Sequence, residues 1–60
     1  MKLHDLTLLQ KFKFYFTTDI FQVVKKTKQI IEFVNLETEQ KHTTNPKDET
    51  IVFLVPNIKN

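Results

Sequence analysis

The sequence predicts a single all-β domain over residues 1–60, a small barrel of five short antiparallel strands. Three observations carry this. Phe12, Phe14 and Phe16 alternate strictly with Lys11, Lys13 and Tyr15, and period two over such a stretch is the mark of a half-buried strand. The apolar segments that follow are loaded with Ile and Val, whose β-branched side chains favour strands over helices. The breaks between segments are short and polar, and the chain has no Gly, so loops of about three to five residues are expected in place of two-residue primed turns.

Taken in order, residues 11–16 form the first strand, and Thr17, Thr18 and Asp19 supply a turn. Residues 20–25 and 30–36 form the second and third strands, joined through residues 26–29. A polar break at 37–40 leads to a weak polar strand at 41–44. Residues 45–49 form a loop or a single 3₁₀ turn, in which Pro46 stops any strand. Residues 50–55 are the last strand, ended by Pro56 and Asn57.

A turn at Thr17–Thr18 sets Phe14 opposite Phe21 and Phe12 opposite Val23. A turn near Thr27 sets Val23 opposite Ile31 and Phe21 opposite Phe33. One face then gathers Phe12, Phe14, Phe16, Phe21, Val23, Ile31 and Phe33, closed by Ile51, Phe53 and Val55. Asn35, Asn45 and Asn57 are the residues best suited to positive φ in the absence of Gly.

The alternative is an α+β unit with a helix at about 19–35. Ile20, Val23, Val24, Thr27, Ile30, Ile31 and Val34 fall on one helical arc. Asp19 offers an N-cap and Gln22 half a capping box. The β-branched content, and the positions of Phe21, Phe33 and Leu36 off the arc, favour two strands.

Composition narrows the function more than any motif does. Sixty residues are near the lower limit for independent folding; such a chain buries only about 60% of its unfolded surface. There is no Cys, so neither disulfides nor thiolate metal sites can staple it. Gly, Ala, Ser, Arg and Trp are also absent. Phosphate-cradling loops need Gly, the common nucleophiles are Ser and Cys, and bidentate anion recognition needs Arg. A catalyst is therefore not expected, nor a cofactor. The shortage of residues with GC-rich codons points to a low-GC genome, such as that of a phage, a plasmid or a low-GC bacterium.

The net charge is +2 and the pI about 9.1. Residues 1–36 hold six Lys against three acids, and residues 37–60 three Lys against four. This mild asymmetry permits an anionic partner without demanding one. Residues 1–10 contain Asp5 and no long apolar run, so no signal peptide is expected. No apolar stretch approaches the roughly 18 residues of a membrane span, and a cytoplasmic protein is expected, in the host cell if phage-encoded.

Leu6–Phe14, then Ile20–Lys28, then Ile31–Thr38 together resemble small SH3-like barrels, of the kind found among phage accessory proteins. There a leucine-containing lead-in precedes a Phe-rich strand, followed by strands of the Val-Val-Lys-Lys and Asn-Leu-Glu-Thr sort. This chain has Leu9-Gln10 where such barrels usually carry a Gly-Asp turn. The resemblance implies a binding module, since these barrels occur in nucleic-acid-binding and phage accessory proteins. It assigns no functional residue.

Two surfaces are candidates. Val24, Ile30, Val34 and Leu36 have the opposite parity to the core set. Left uncovered, they make a protein-binding or homodimer face. Lys11, Lys13 and Tyr15 on the first strand, with Lys25, Lys26 and Lys28 at the second hairpin, suit nucleic acid, ammonium groups on phosphates and the ring under a base. His4 and His42, even with Asp5, Glu37 or Glu39, match no metal-ligand spacing and read as solvated. The expected function is thus a non-catalytic module that binds and modulates a host or phage protein, with DNA or RNA as the alternative partner.

Overall fold

The structure, a computed structural model, describes residues 1–55. Asn57 and the last residues of the chain lie outside them. A 3₁₀ turn, Leu3–Asp5, precedes five strands: β1 Lys11–Phe14, β2 Phe21–Lys26, β3 Ile31–Asn35, β4 Lys41–Thr44 and β5 Val52–Leu54. All pairings are antiparallel, in the order β4-β3-β2-β1-β5. This is the expected all-β, barrel-like architecture, and residues 21–35 are two strands rather than a helix.

The sheet curls tightly. Phe12 on β1 and Phe33 on β3 lie two strands apart, yet their ring centroids are 5.5 Å apart. Phe12, Val23, Ile31 and Val52 are fully buried inside the curl, with Phe21 and Phe33 nearly so. The N-terminal segment closes one end by inserting Leu3 and Leu6.

The faces of β1 to β3 are those expected, but the registers are not. Phe12 opposes Phe21, and Val23 opposes Phe33, each two residues from the expected pairing. A shift of two preserves which face a side chain occupies. For β1 and β2 the cause is the first connection. Its turn closes early, with Thr17 N–H donating to the Phe14 carbonyl at 3.2 Å, and residues 15–20 all lie outside the strands. Phe16 therefore falls in the turn instead of the core.

Strand β5 departs by one residue, which reverses its faces. Val52 is buried, while Ile51 and Phe53 are exposed and Val55 is half-buried. Backbone bonds set this phase: Leu3 N–H to Thr50 O at 2.8 Å, Val52 N–H to Met1 O at 2.8 Å. Phe53 then opposes the outward Lys13. The same bonds cover part of the outer edge of β5. The opposite edge, β4, is short and polar and carries Lys41, the usual way an edge is blunted.

A register break between Val23 and Lys25 adds a residue to β2. Such a bulge re-aims the side chains beyond it. Lys25 opposes Glu32 and Lys26 opposes the buried Ile31. Lys26 Nζ donates to His4 O at 2.8 Å and to Leu6 O at 2.7 Å, satisfying carbonyls at the end of the 3₁₀ turn, where cations commonly sit.

Positive φ falls on Leu9 (67°) and Glu39 (63°). Asn35 and Asn45 do a different job. Asn35 Oδ1 accepts from the N–H groups of Glu37 and Thr38, and Asn45 Oδ1 from that of Lys47, the Asx geometry that nucleates turns. Asn35 Nδ2 donates to Asp19 Oδ2 at 3.1 Å, tying the β1–β2 loop to β3.

The β4–β5 connection is organised by Asp48. Its carboxylate accepts from the hydroxyls of Thr44 and Thr50 and from the backbone N–H of Thr50. The Thr44 bond leads in holding the Asp48 pKa below the ordinary carboxylate value, followed by the two bonds from Thr50 and the proximity of His4, against a small opposing effect of burial.

Two outcomes follow. Glu39→Gly and Leu9→Gly each relieve a left-handed conformation that costs roughly 1–2 kcal/mol with a Cβ present, less the entropy glycine loses on folding. Each is expected to stabilise by about 0.5–1 kcal/mol in urea denaturation, and Leu9→Ala by none. For Asp48, the folded state favours the carboxylate, so in the window below the ordinary value of 3.8 the unfolded chain binds more protons. Stability is expected to fall as pH drops through that window, and Asp48→Asn to flatten this part of the pH–stability curve.

Candidate functional site

The end of the barrel opposite the N-terminal closure is built of aromatic rings. Phe14 is the last residue of β1, and Tyr15 and Phe16 follow it into the turn. Alternation carries Phe16 to the same side as Phe14, but no strand covers it. It is 74% exposed and Tyr15 75%. Phe16 stacks on Phe14, centroids 5.4 Å apart and planes 18° apart, and Tyr15 meets Phe16 edge-on at 6.0 Å. Below them Phe14 packs edge-on against Phe21 at 5.2 Å.

Across the opening, His42 lies on Phe33 at 5.4 Å and 22°. His42 belongs to β4, whose alternation turns His42 and Thr44 inward and leaves Lys41 and Thr43 exposed. It is half-buried among rings, where a solvated side chain was expected. Phe14, Phe16, Thr17, Phe21, Phe33 and His42 together line a cleft of about 350 Å³.

The Phe14–Phe16 stack separates this cleft from a wider depression of about 790 Å³ over the outer side of β1 and β5, where Lys13, Tyr15 and Phe53 meet. Phe53 is 50% exposed, and Ile51 and Leu54 extend the apolar surface along β5. Among the described residues Lys13 is the only lysine lining the two depressions, and neither lining contains a carboxylate. The arrangement offers ring faces, hydroxyls and one ammonium group. It can hold a planar or apolar group.

The residues expected to form a protein-binding face lie elsewhere. Val24, Ile30 and Val34 are half-buried, and Leu36 is exposed at the β3–β4 turn. Val34 sits on the outer face in a row with Gln22 and Lys41. Val24 is at the bulge of β2, and none of the four lines the aromatic cleft.

The lysine set is divided by the sheet. Lys13 and Tyr15 lie toward the aromatic end, and Lys11, the first residue of β1, pairs with Gln22. Lys25 faces Glu32, and Lys28 is in the β2–β3 loop at the far end of β2. Lys26 is occupied with the His4 and Leu6 carbonyls.

Among the described residues no three His, Asp or Glu side chains gather as a metal site would require, and no helix is long and apolar enough to cross a membrane. The aromatic site was hidden by assigning Phe16 to the core together with Phe14, Phe21 and Phe33; Phe21 and Phe33 are buried there, Phe14 is half-buried and Phe16 is exposed. The available signal was the excess of rings, six Phe in 60 residues, more than a domain of this size can enclose.

The division between core and surface rings is measurable. Phe16→Ser is expected to change unfolding stability by no more than about 0.5 kcal/mol, whereas Phe12→Ala should cost about 3–5 kcal/mol. Urea titrations followed by circular dichroism distinguish them. A large loss for Phe16→Ser would make that ring part of the core. Comparison with protein-family models, with curated proteins and with solved structures finds no match to this chain.

Proposed function

We propose that the chain is a non-catalytic binding module that docks on a protein partner through its aromatic end. The observation that supports this most directly is Phe16, a large ring left 74% exposed at the mouth of an aromatic cleft. Tyr15 and Phe53, both exposed, extend it across the adjoining depression. Patches of this kind mark interaction sites, and aromatic residues are the anchors that carry most of an interface's energy.

The docking surface in this reading is a face rather than an open strand edge, because both edges of the sheet are blunted or partly covered. The composition supports a phage or mobile-element source, and the partner is then a host or phage protein whose activity the module alters by occupying it.

Nucleic acid is the weaker reading. Its candidate lysines are spread over two ends of the molecule, Lys26 is engaged internally, and no Arg is present.

The test is a quantitative pull-down with the tagged chain from lysates of candidate low-GC hosts. A stoichiometric partner lost on Phe16→Ser with Phe53→Ser, and retained on Val34→Asp, is the expected result. Loss on Val34→Asp alone would move the interface to the outer face. Self-association lost on the same pair of substitutions in sedimentation would make the partner a second copy. Parallel binding to single- and double-stranded oligonucleotides at about 0.15 M salt checks the alternative: affinity above a control protein of similar pI, abolished by Lys11→Gln, Lys13→Gln, Lys25→Gln and Lys28→Gln together, would replace the protein-binding reading.

A further inference from the structure

We infer that the cleft between Phe16 and His42 receives one aromatic side chain of the partner, flanked in the partner's sequence by carboxylates. This rests on the protein-binding reading and specifies its chemistry.

The size of the cleft comes first. About 350 Å³ is at the small end of the roughly 300–1,000 Å³ typical of ligand sites, room for a single ring system. The walls are the second consideration. Phe14, Phe21 and Phe33 meet edge-on, centroids 5.2, 5.6 and 6.0 Å apart, and form the floor, and Phe16 and His42, stacked on Phe14 and Phe33, flank it. An inserted ring would meet ring faces and edges at the spacings of about 4.5–7 Å that aromatic pairs prefer.

The lining sets the anchor's type. Five of its six residues present rings, and the sixth, Thr17, has its Oγ1 accepting from Asp19 N–H at 3.1 Å. The cleft therefore selects a ring for its apolar face, and Trp offers the largest. Charge then selects the flanks. Among the described residues Lys13 is the one lysine lining the two adjoining depressions, and no carboxylate lines either. On the side of the adjoining depression acidic residues beside the anchor meet the Lys13 ammonium, while the carboxylate of Asp19, in the loop beside the cleft, is engaged by Asn35 Nδ2 at 3.1 Å; basic flanks on the Lys13 side meet repulsion. A single lysine does little for a chain of phosphates, whose binding grows with each one neutralised.

The chain has no Trp, so the fluorescence of a blocked peptide with one central Trp reports on the ligand alone. Two such peptides, flanked by Asp or by Lys, are titrated with the full chain at low salt. The expected result is a saturable blue shift with the Asp-flanked peptide, at least about tenfold tighter than with the Lys-flanked one. Phe16→Ser should weaken it about tenfold or more, with the fold unchanged by circular dichroism, and Lys13→Gln should narrow the gap between the two peptides.

Absence of a shift, equal affinity for both peptides, or indifference to Phe16→Ser would overturn the inference. So would tighter binding of a labelled oligothymidylate at about 0.15 M salt. If neither peptide binds but the lysate partner is still lost on Phe16→Ser with Phe53→Ser, the anchor is wrong and the docking surface stands. If the partner survives those substitutions, the docking surface itself is wrong.

Discussion

Everything in this fold turns around the ring of Phe12. It is fully buried and lies within 6 Å of Phe14, Phe21 and Phe33. Those three partners come from its own strand, its neighbour and the next strand over, so the contact set is possible only if the sheet curls. In a chain with no Cys to cross-link and no second layer of helices, the curl is what creates an interior. Large rings then do what many small residues do elsewhere: they reach across the curl and touch. Aromatic pairs at this spacing contribute beyond their buried area, which helps offset the thin margin of so short a chain.

Curling the sheet around one ring leaves two open ends, and the chain treats them differently. At one end Leu3 and Leu6 close the core, and the segment bearing them is held by backbone pairing to β5 and by the Lys26 ammonium. At the other end the described residues supply no such segment. The β1–β2 loop is tied down through Asp19 and Asn35, which fixes the loop beside the opening without covering it. The exposed rings are therefore held on a supported rim, and a rigid aromatic surface loses little entropy on binding.

How much of this could be read from the residues depends on which interaction decides each element. Period two in residues 11–14 and the β-branched runs determined strand type and facing, because a face is a local property. Register is not local. It was decided by where the first turn closes and by the bulge at Val24–Lys25, and neither carries a Gly or Pro marker. The phase of β5 was set by pairing with residues about fifty positions earlier, which no alternation pattern can reveal when 51–55 is apolar throughout. The turns obeyed a similar rule. Asn35 and Asn45 were expected at turns through positive φ; they do shape turns, but through their side-chain oxygens. Positive φ fell instead on Leu9, at the Leu9-Gln10 step where related-looking barrels would use Gly-Asp, and on Glu39.

The same reasoning explains why the aromatic site was harder to foresee than the fold. Sequence pattern sorts side chains into inward and outward, and Phe14, Phe16 and Phe33 are all inward by parity. Inward becomes buried only where something lies on top. A five-stranded curl with strands of three to six residues can cover one layer of rings, and Phe12 takes that place. The rings one step further along each strand, Phe14 and then Phe16, share its orientation but not its cover. Covering them with a loop would have added hydrophobic burial to a domain with little stability to spare. Leaving them uncovered forgoes that gain and exposes the chain to aggregation, a balance that favours a surface complemented by binding.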